Sequence, residues 1–328
     1  MNSPPFQITT EILCLSQKIG HELGILKGAK LFPTPIKLRR KNQIKTIQSS
    51  LAIEGNSLNM EQITSILNSK KVIAPKKDLI EVQNALLVYE KLSSWNPLSK
   101  NHLLKAHKIF MKDLIESNGK FRLEAVGVFK DKNVAHMAPP PKRVPLLMEE
   151  LFHFLRTTKS IPWLIKACIF HYELEFIHPF MDGNGRMGRL WQQLLLMKEN
   201  LIFEYICVES MIKAHEKDYY DVLGKCDKQG ESTLFIEFSL EQILFSLKSY
   251  TNDVSSQSKN PLERLTYAKN FLLEWFDRKQ YLSLHKDIST ATASRDLVFG
   301  FEKGVLFKTG INNQVLYQFR KNIDSETN

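Results

Sequence analysis

Apolar residues return at helical spacing through most of the first 250 positions, as at Ile44, Ile47 and Leu51, and again at Leu103, Leu104, Phe110 and Met111 with His107 on the same face. That period predicts a mainly α-helical protein. The pattern breaks at "VGVFKDKNVAHMAPPP", where β-branched and aromatic residues flank the polar turn Asp131-Lys132-Asn133. A short exposed β-hairpin is expected there, terminated by the prolines. Residues 251–261, "TNDVSSQSKNP", are polar, serine-rich and end in proline, which predicts a linker. After it, Ser289 or Thr290 can cap a helix whose Ala293, Leu297 and Phe301 face inward. "EKGVLFKTGINNQVLYQF" then reads as two strands around a turn near Asn312-Asn313.

Composition adds limits. A chain of 328 residues with ordinary apolar and charged fractions can bury a real core. Nothing in "MNSPPFQITTEIL" resembles a signal peptide, and no apolar run is long enough to span a bilayer, so a cytoplasmic protein without a membrane partner is expected. Cys14, Cys168, Cys207 and Cys226 form no pair at zinc-ligand spacing and read as buried small hydrophobes. The net charge of +10 suits an anionic partner.

The densest chemistry lies in "HPFMDGNGRMGR", His178 to Arg189. Gly183 and Gly185 flank Asn184 just before the helical-looking "RMGRLWQQLLLMKEN". Such a turn can aim backbone N–H groups at an anion, and the helix N-terminus adds its dipole. Arg186 and Arg189 share a helix face and can reach polyphosphate oxygens. A bare Asp182 would repel phosphate but suits a magnesium ion that takes the rest of its shell from phosphate and water. His178 fits a general base for an attacking hydroxyl, and Phe180 fits a core anchor. Singly, each of these residues has a bland structural reading; together they read as a site.

"GNGRMG" is also a GxGxxG, with Glu209 at about the spacing of a ribose ligand. The residues before it, His-Pro-Phe-Met-Asp, are poor for a buried strand, and the chain does not alternate strand and helix, which argues against a dinucleotide fold.

This run resembles the signature of the Fic family, HxFx(D/E)GNGRxxR, with every specified position filled. The resemblance extends from about Lys37 to Leu247 and includes "GKFR" (Gly119 to Arg122), the hairpin and "DYYDVLGKCDKQG". It implies a helical core with a hairpin flap that aligns a target by strand addition. It also implies transfer of AMP from ATP, with Mg2+, to a Ser, Thr or Tyr hydroxyl of a protein, the chain itself included. By that resemblance His178 is the base and Asp182 holds the metal. Gly183, Asn184, Gly185, Arg186, Gly188 and Arg189 contact the nucleotide, and Tyr219 or Tyr220 lies near the adenine.

Upstream, "SSLAIEGNSL" closes a helix whose charges run backwards: Arg39, Arg40 and Lys41 in the first turn and Glu54 in the last both oppose the helix dipole. Ser50-x-x-x-Glu54-Gly55 resembles the family's inhibitory motif, which implies that Glu54 pairs with Arg189 and holds activity low. The C-terminal segment resembles a winged helix-turn-helix that could present Thr292, Ser294 and Arg295 to DNA; Asp287, Asp296 and Glu302 argue against it.

The expected order is an N-terminal helical region (1–100), the Fic core (101–250), the linker (251–261) and the winged helix (262–328). A homodimer is compatible with it. The alternatives are a bifunctional or AMP-removing enzyme, transfer of another NMP, and a DNA-binding regulator whose core senses nucleotide.

Overall fold

The computed structural model describes residues 4–28, 36–130, 133–258, 261–272, 274–285, 288–310 and 315–320. The turn at Asp131-Lys132, the turn at Asn312-Asn313 and Asp287 lie outside them. The chain forms two compact units, 1–249 and 250–328.

The first unit is helical: α1 (Thr10–Gly28), α2 (Ile36–Ile53), α3 (Met60–Leu67), α4 (Lys76–Glu90), α5 (Lys100–Phe110), α6 (Val144–Thr157), α7 (Trp163–Ile177), α8 (Asn184–Glu199), α9 (Val208–Ala214), α10 (Glu216–Gln229) and α11 (Thr233–Ser258). Side-chain caps set several starts, as where Asn59 accepts from Gln62 N while Gln62 reaches back, a reciprocal capping box on α3. The centre is the pair α7 and α8, which pack on each other and carry the fully buried Ile169, Phe170, Met187 and Leu190. Between α5 and α6, β1 (Gly127–Lys130) pairs antiparallel with β2 (Asn133–Met137), with a bulge between Val128 and Phe129. The expected hairpin is there. Among the described residues the only sheets are two antiparallel pairs, so a parallel dinucleotide-binding sheet is excluded.

One expectation changes. The serine-rich residues 251–258 are helical, the last turns of α11, since serine and asparagine are only mildly unfavourable in a helix that is already formed. Residues 259–260 are outside the described set.

The second unit comprises α12 (Pro261–Lys269), α13 (Arg278–Leu284), α14 (Thr290–Glu302) and the antiparallel pair β3 (Leu306–Thr309) and β4 (Leu316–Phe319). Its own core gathers Leu265, Ala268, Phe276, Tyr281, Ala293, Leu297, Leu306 and Tyr317. Ser289 caps α14 by accepting from Thr292 N. Ala293 and Leu297 face inward as expected, but Phe301 is 45% exposed in the last turn of the helix. Asp296, expected on the surface, is 1% exposed and accepts from Arg264 through both oxygens and from the Tyr281 hydroxyl. Replacing Asp296 with alanine removes that carboxylate from a buried guanidinium and should cost about 3 kcal/mol or more. Hydrogen exchange should accelerate across 261–320 and stay unchanged in 36–249; equal protection in both proteins would contradict the assignment.

Candidate functional site

α7 ends at His178, which adopts a left-handed conformation (φ 49°) before Pro179. A histidine there is strained, and surrounding bonds must hold it. Its N–H donates to Leu174 O at 2.9 Å, and its carbonyl accepts from Arg122 Nε at 2.7 Å. Arg122 is 1% exposed and also donates to the carbonyls of Glu124, Pro139 and Ile177. Its backbone N–H donates to Pro179 O. One guanidinium thus joins the loop to the base of the hairpin through carbonyls, and burial lowers its pKa. Nδ1 of His178 lies 3.3 Å from Glu175 O. A carbonyl can only accept, so Nδ1 is the donor of this contact, and in the neutral ring the lone pair falls on Nε2.

The loop is also held from behind. Phe180 is fully buried and stacks on His107, ring centroids 3.7 Å apart. Gly119 N donates to His107 Nδ1 at 2.8 Å, which leaves Nε2–H to donate to Asp182 O at 3.0 Å. Burial first, and Arg186 nearby, lower the His107 pKa to about 4, although the Asp182 carbonyl works the other way. Asn184, expected on phosphates, uses both ends of its amide on the Phe180 main chain, at 2.9 Å each. It closes the loop.

The glycines have separate reasons. Gly183 has φ +86°, and a Cβ there would also strike Met111. At Gly185 a Cβ would overlap the Glu54 carboxylate. Gly188, expected against nucleotide, instead faces α7, where His171 crowds it. His171 holds the buried Tyr219 hydroxyl at 3.1 Å. Tyr220 is 37% exposed, close enough that Glu54 and Arg189 act on its hydroxyl, and burial raises its pKa.

The two arginines part company. Arg186 is 2% exposed and donates to Glu81 at 3.1 Å and to Asp182 at 3.2 Å. Arg189, 1% exposed, donates to Ser50 Oγ and Ser50 O at 3.0 Å each and to Glu54 Oε1 at 2.6 Å. Burial would lower its pKa, but Glu54 and Tyr219 raise it above the ordinary value. Glu54, just past α2, thereby lies against the N-terminal turn of α8, the anion cradle read from the sequence. The dipole conflict on α2 has a local remedy: its terminal carbonyls receive two cations, Arg189 on Ser50 O and Lys213 on Ala52 O at 2.9 Å. Glu209 is buried with burial raising its pKa to about 7, so it serves no ribose.

Arg122, His107, Glu81 and Lys213 were missed by sequence reasoning. "GKFR" and the core face of α5 carried a signal for the first two; the others had none. Asp182 is 47% exposed, and among the described residues no three metal-ligating side chains cluster. A lone carboxylate fits an ion that arrives with phosphate and water ligands.

Residues 97–196 match the Fic/DOC family description. Among curated proteins, the protein adenylyltransferase Fic of Drosophila grimshawi is 27% identical over 236 residues, covering 67% of this chain and 46% of that protein. A probable protein adenylyltransferase of Aquifex aeolicus is 32% identical over 133 residues, 35% of this chain and 42% of that one. The chain thus spans under half the length of these relatives. A solved Fic family protein from Desulfovibrio desulfuricans superposes with TM-score 0.73 at 35% identity, covering 98% of this chain and 99% of that one. Fic-1 of C. elegans shares the fold at TM-score 0.59 and 21% identity, over 76% of this chain and 73% of that one.

Two buried neutral histidines make stability pH-dependent. Burial lowers His107 to about 4 and His171 to about 3, from an ordinary 6.5. Below 6.5 the unfolded chain binds protons that the folded chain refuses, so stability is full above that pH and falls as pH drops toward 4. The thermal midpoint should fall across this window. His107→Gln, which keeps both hydrogen bonds, should flatten the slope by about one proton; an unchanged slope would refute a neutral His107.

Proposed function

The chain belongs to the Fic family, and on that footing we propose that it is a protein adenylyltransferase held at low activity by its own Glu54. The observation that carries this reading is the Glu54 carboxylate on buried Arg189, against the first turn of α8, where a polyphosphate would otherwise lie. One anion keeps the other out.

In the proposed reaction His178 Nε2 accepts the proton of a Ser, Thr or Tyr hydroxyl. The freed oxygen bonds to the α-phosphorus of ATP, and the bond to the bridging oxygen breaks, releasing pyrophosphate. A magnesium ion bound at Asp182 would supply charge neutralisation to the phosphates. The chain contributes chiefly position and charge: a preset loop, the N-terminal amides of α8, and Arg189 once Glu54 has left. Asn184 and Gly183 act by fixing the loop, and Arg186 by holding Asp182. The β1–β2 hairpin, joined to the loop through Arg122, supports strand addition as the way a target is aligned.

Glu54→Gly should raise labelling of the chain by α-labelled ATP with magnesium by at least tenfold, about the worth of one charge-assisted bond. His178→Ala in that background should abolish it. Equal labelling of wild type and Glu54→Gly would defeat self-inhibition, and labelling that survives His178→Ala would defeat the base assignment.

The second unit, three helices and an antiparallel pair, supports the winged helix-turn-helix reading with DNA as its ligand. With Asp296 buried on Arg264, one acid that would have repelled a phosphate backbone is withdrawn from α14, while Arg295 is exposed. Random duplex should be retarded at low salt and released as salt rises; no retardation at low salt would remove DNA from the reading.

A further inference from the structure

Glu81 lies on α4, outside the 97–196 stretch that matches the family. Its side chain is 4% exposed, and its two oxygens face two parts of the site. Oε1 accepts from Arg186 Nη1 at 3.1 Å, and Oε2 accepts from Asn56 Nδ2 at 2.8 Å. Asn56 follows Glu54 by two residues, and its amide also donates to Asp78 O at 3.2 Å. The chain of contacts therefore runs Asn56, Glu81, Arg186, Asp182.

A guanidinium as buried as Arg186 needs a counter-charge, and two carboxylates share it. Asp182, half exposed, is the one a metal-bound nucleotide would approach, and Arg186 Nη2 is 3.2 Å from its Oδ1. Without Glu81, Asp182 would be the sole carboxylate on Arg186 among the described residues. An incoming cation would then meet a carboxylate whose charge is drawn to a guanidinium with no second counter-charge.

The geometry points to Glu81 as a positioning residue: it neutralises Arg186 so that Asp182 stays available to a metal-bound nucleotide, and through Asn56 it ties that pair to the segment carrying Glu54. This rests on the proposed nucleotidyl transfer. The same carboxylate braces the inhibited position of Glu54 and prepares the site for when Glu54 leaves.

The test uses the full chain with Glu54→Gly and follows free Mn2+ by electron paramagnetic resonance as it binds with a non-hydrolysable ATP analogue. Adding Glu81→Gln should raise the Mn2+ half-saturation about tenfold, as for one charge-assisted hydrogen bond. Since a lone buried Arg186 could also impair folding, the pair Glu81→Leu with Arg186→Met removes both charges and should return half-saturation to within about threefold of the parent, the size of a neutral hydrogen bond. An unchanged value in Glu81→Gln overturns the inference. So does a double variant as weak as Glu81→Gln, since Arg186 would then grip the nucleotide itself. Failure of the parent to bind defeats the transferase reading and this inference with it. With Glu54 present, Asn56→Ala should raise self-labelling about threefold or more, the loss of one buried hydrogen bond; no rise would sever the tie to Glu54.

Discussion

A guanidinium with 1% of its surface exposed cannot be left without an anion, and this requirement at Arg189 organises the first unit. Its partners, Ser50 and Glu54, come from a helix more than a hundred residues away in the chain. The bond therefore fixes α2 against α8 as well as satisfying a charge. On the proposed reading it also sets a condition on release: a polyphosphate that takes the place of Glu54 at Arg189 swaps one charge-assisted contact for another rather than exposing a bare buried cation.

The loop beneath this exchange is held without help from either anion. Arg122 bonds to four carbonyls and His107 to a fifth, while Asn184 clamps the Phe180 main chain from both sides. All of these are contacts to backbone. They hold the position of the loop without using the His178 or Asp182 side chain as a strut. The left-handed His178 is affordable in such a setting because several independent bonds determine its backbone.

Helical periodicity placed the core positions Ile47, Leu51 and Leu103, though Leu104 is only partly buried, and the change to alternation located the hairpin. The loop 178–189 was legible because its residue types are so unlike ordinary helix. What could not be read was which partner each polar residue takes. Arg186 and Arg189 are the same residue on one helix face, yet one meets Glu81 from α4 and the other Glu54 from the end of α2. Gly188 and Asn184 belong to the motif but face inward, a distinction that depends on the packing of α7. The change of unit at 249/250 falls beside the segment read as a linker, but its helical form was not legible for a similar reason: serine and asparagine are weak helix formers in isolation, and α11 already had a buried nucleus at Phe235, Ile236 and Leu240 to extend.

Gly185 places a limit on how inhibition can be relieved. A side chain there would overlap the Glu54 carboxylate and so push it away. On the proposed reading, however, the same open face of the first turn of α8 must admit phosphate oxygens. Any group large enough to exclude the glutamate excludes the substrate too. Relief has to come from the other side of the contact, through Glu54 itself, through Ser50 beside it, or through Asn56, whose bond to Glu81 holds the turn in place. On that reading control of the site is seated in the segment that closes α2, and the motif loop, which must stay suited to phosphate, has little freedom to contribute to it.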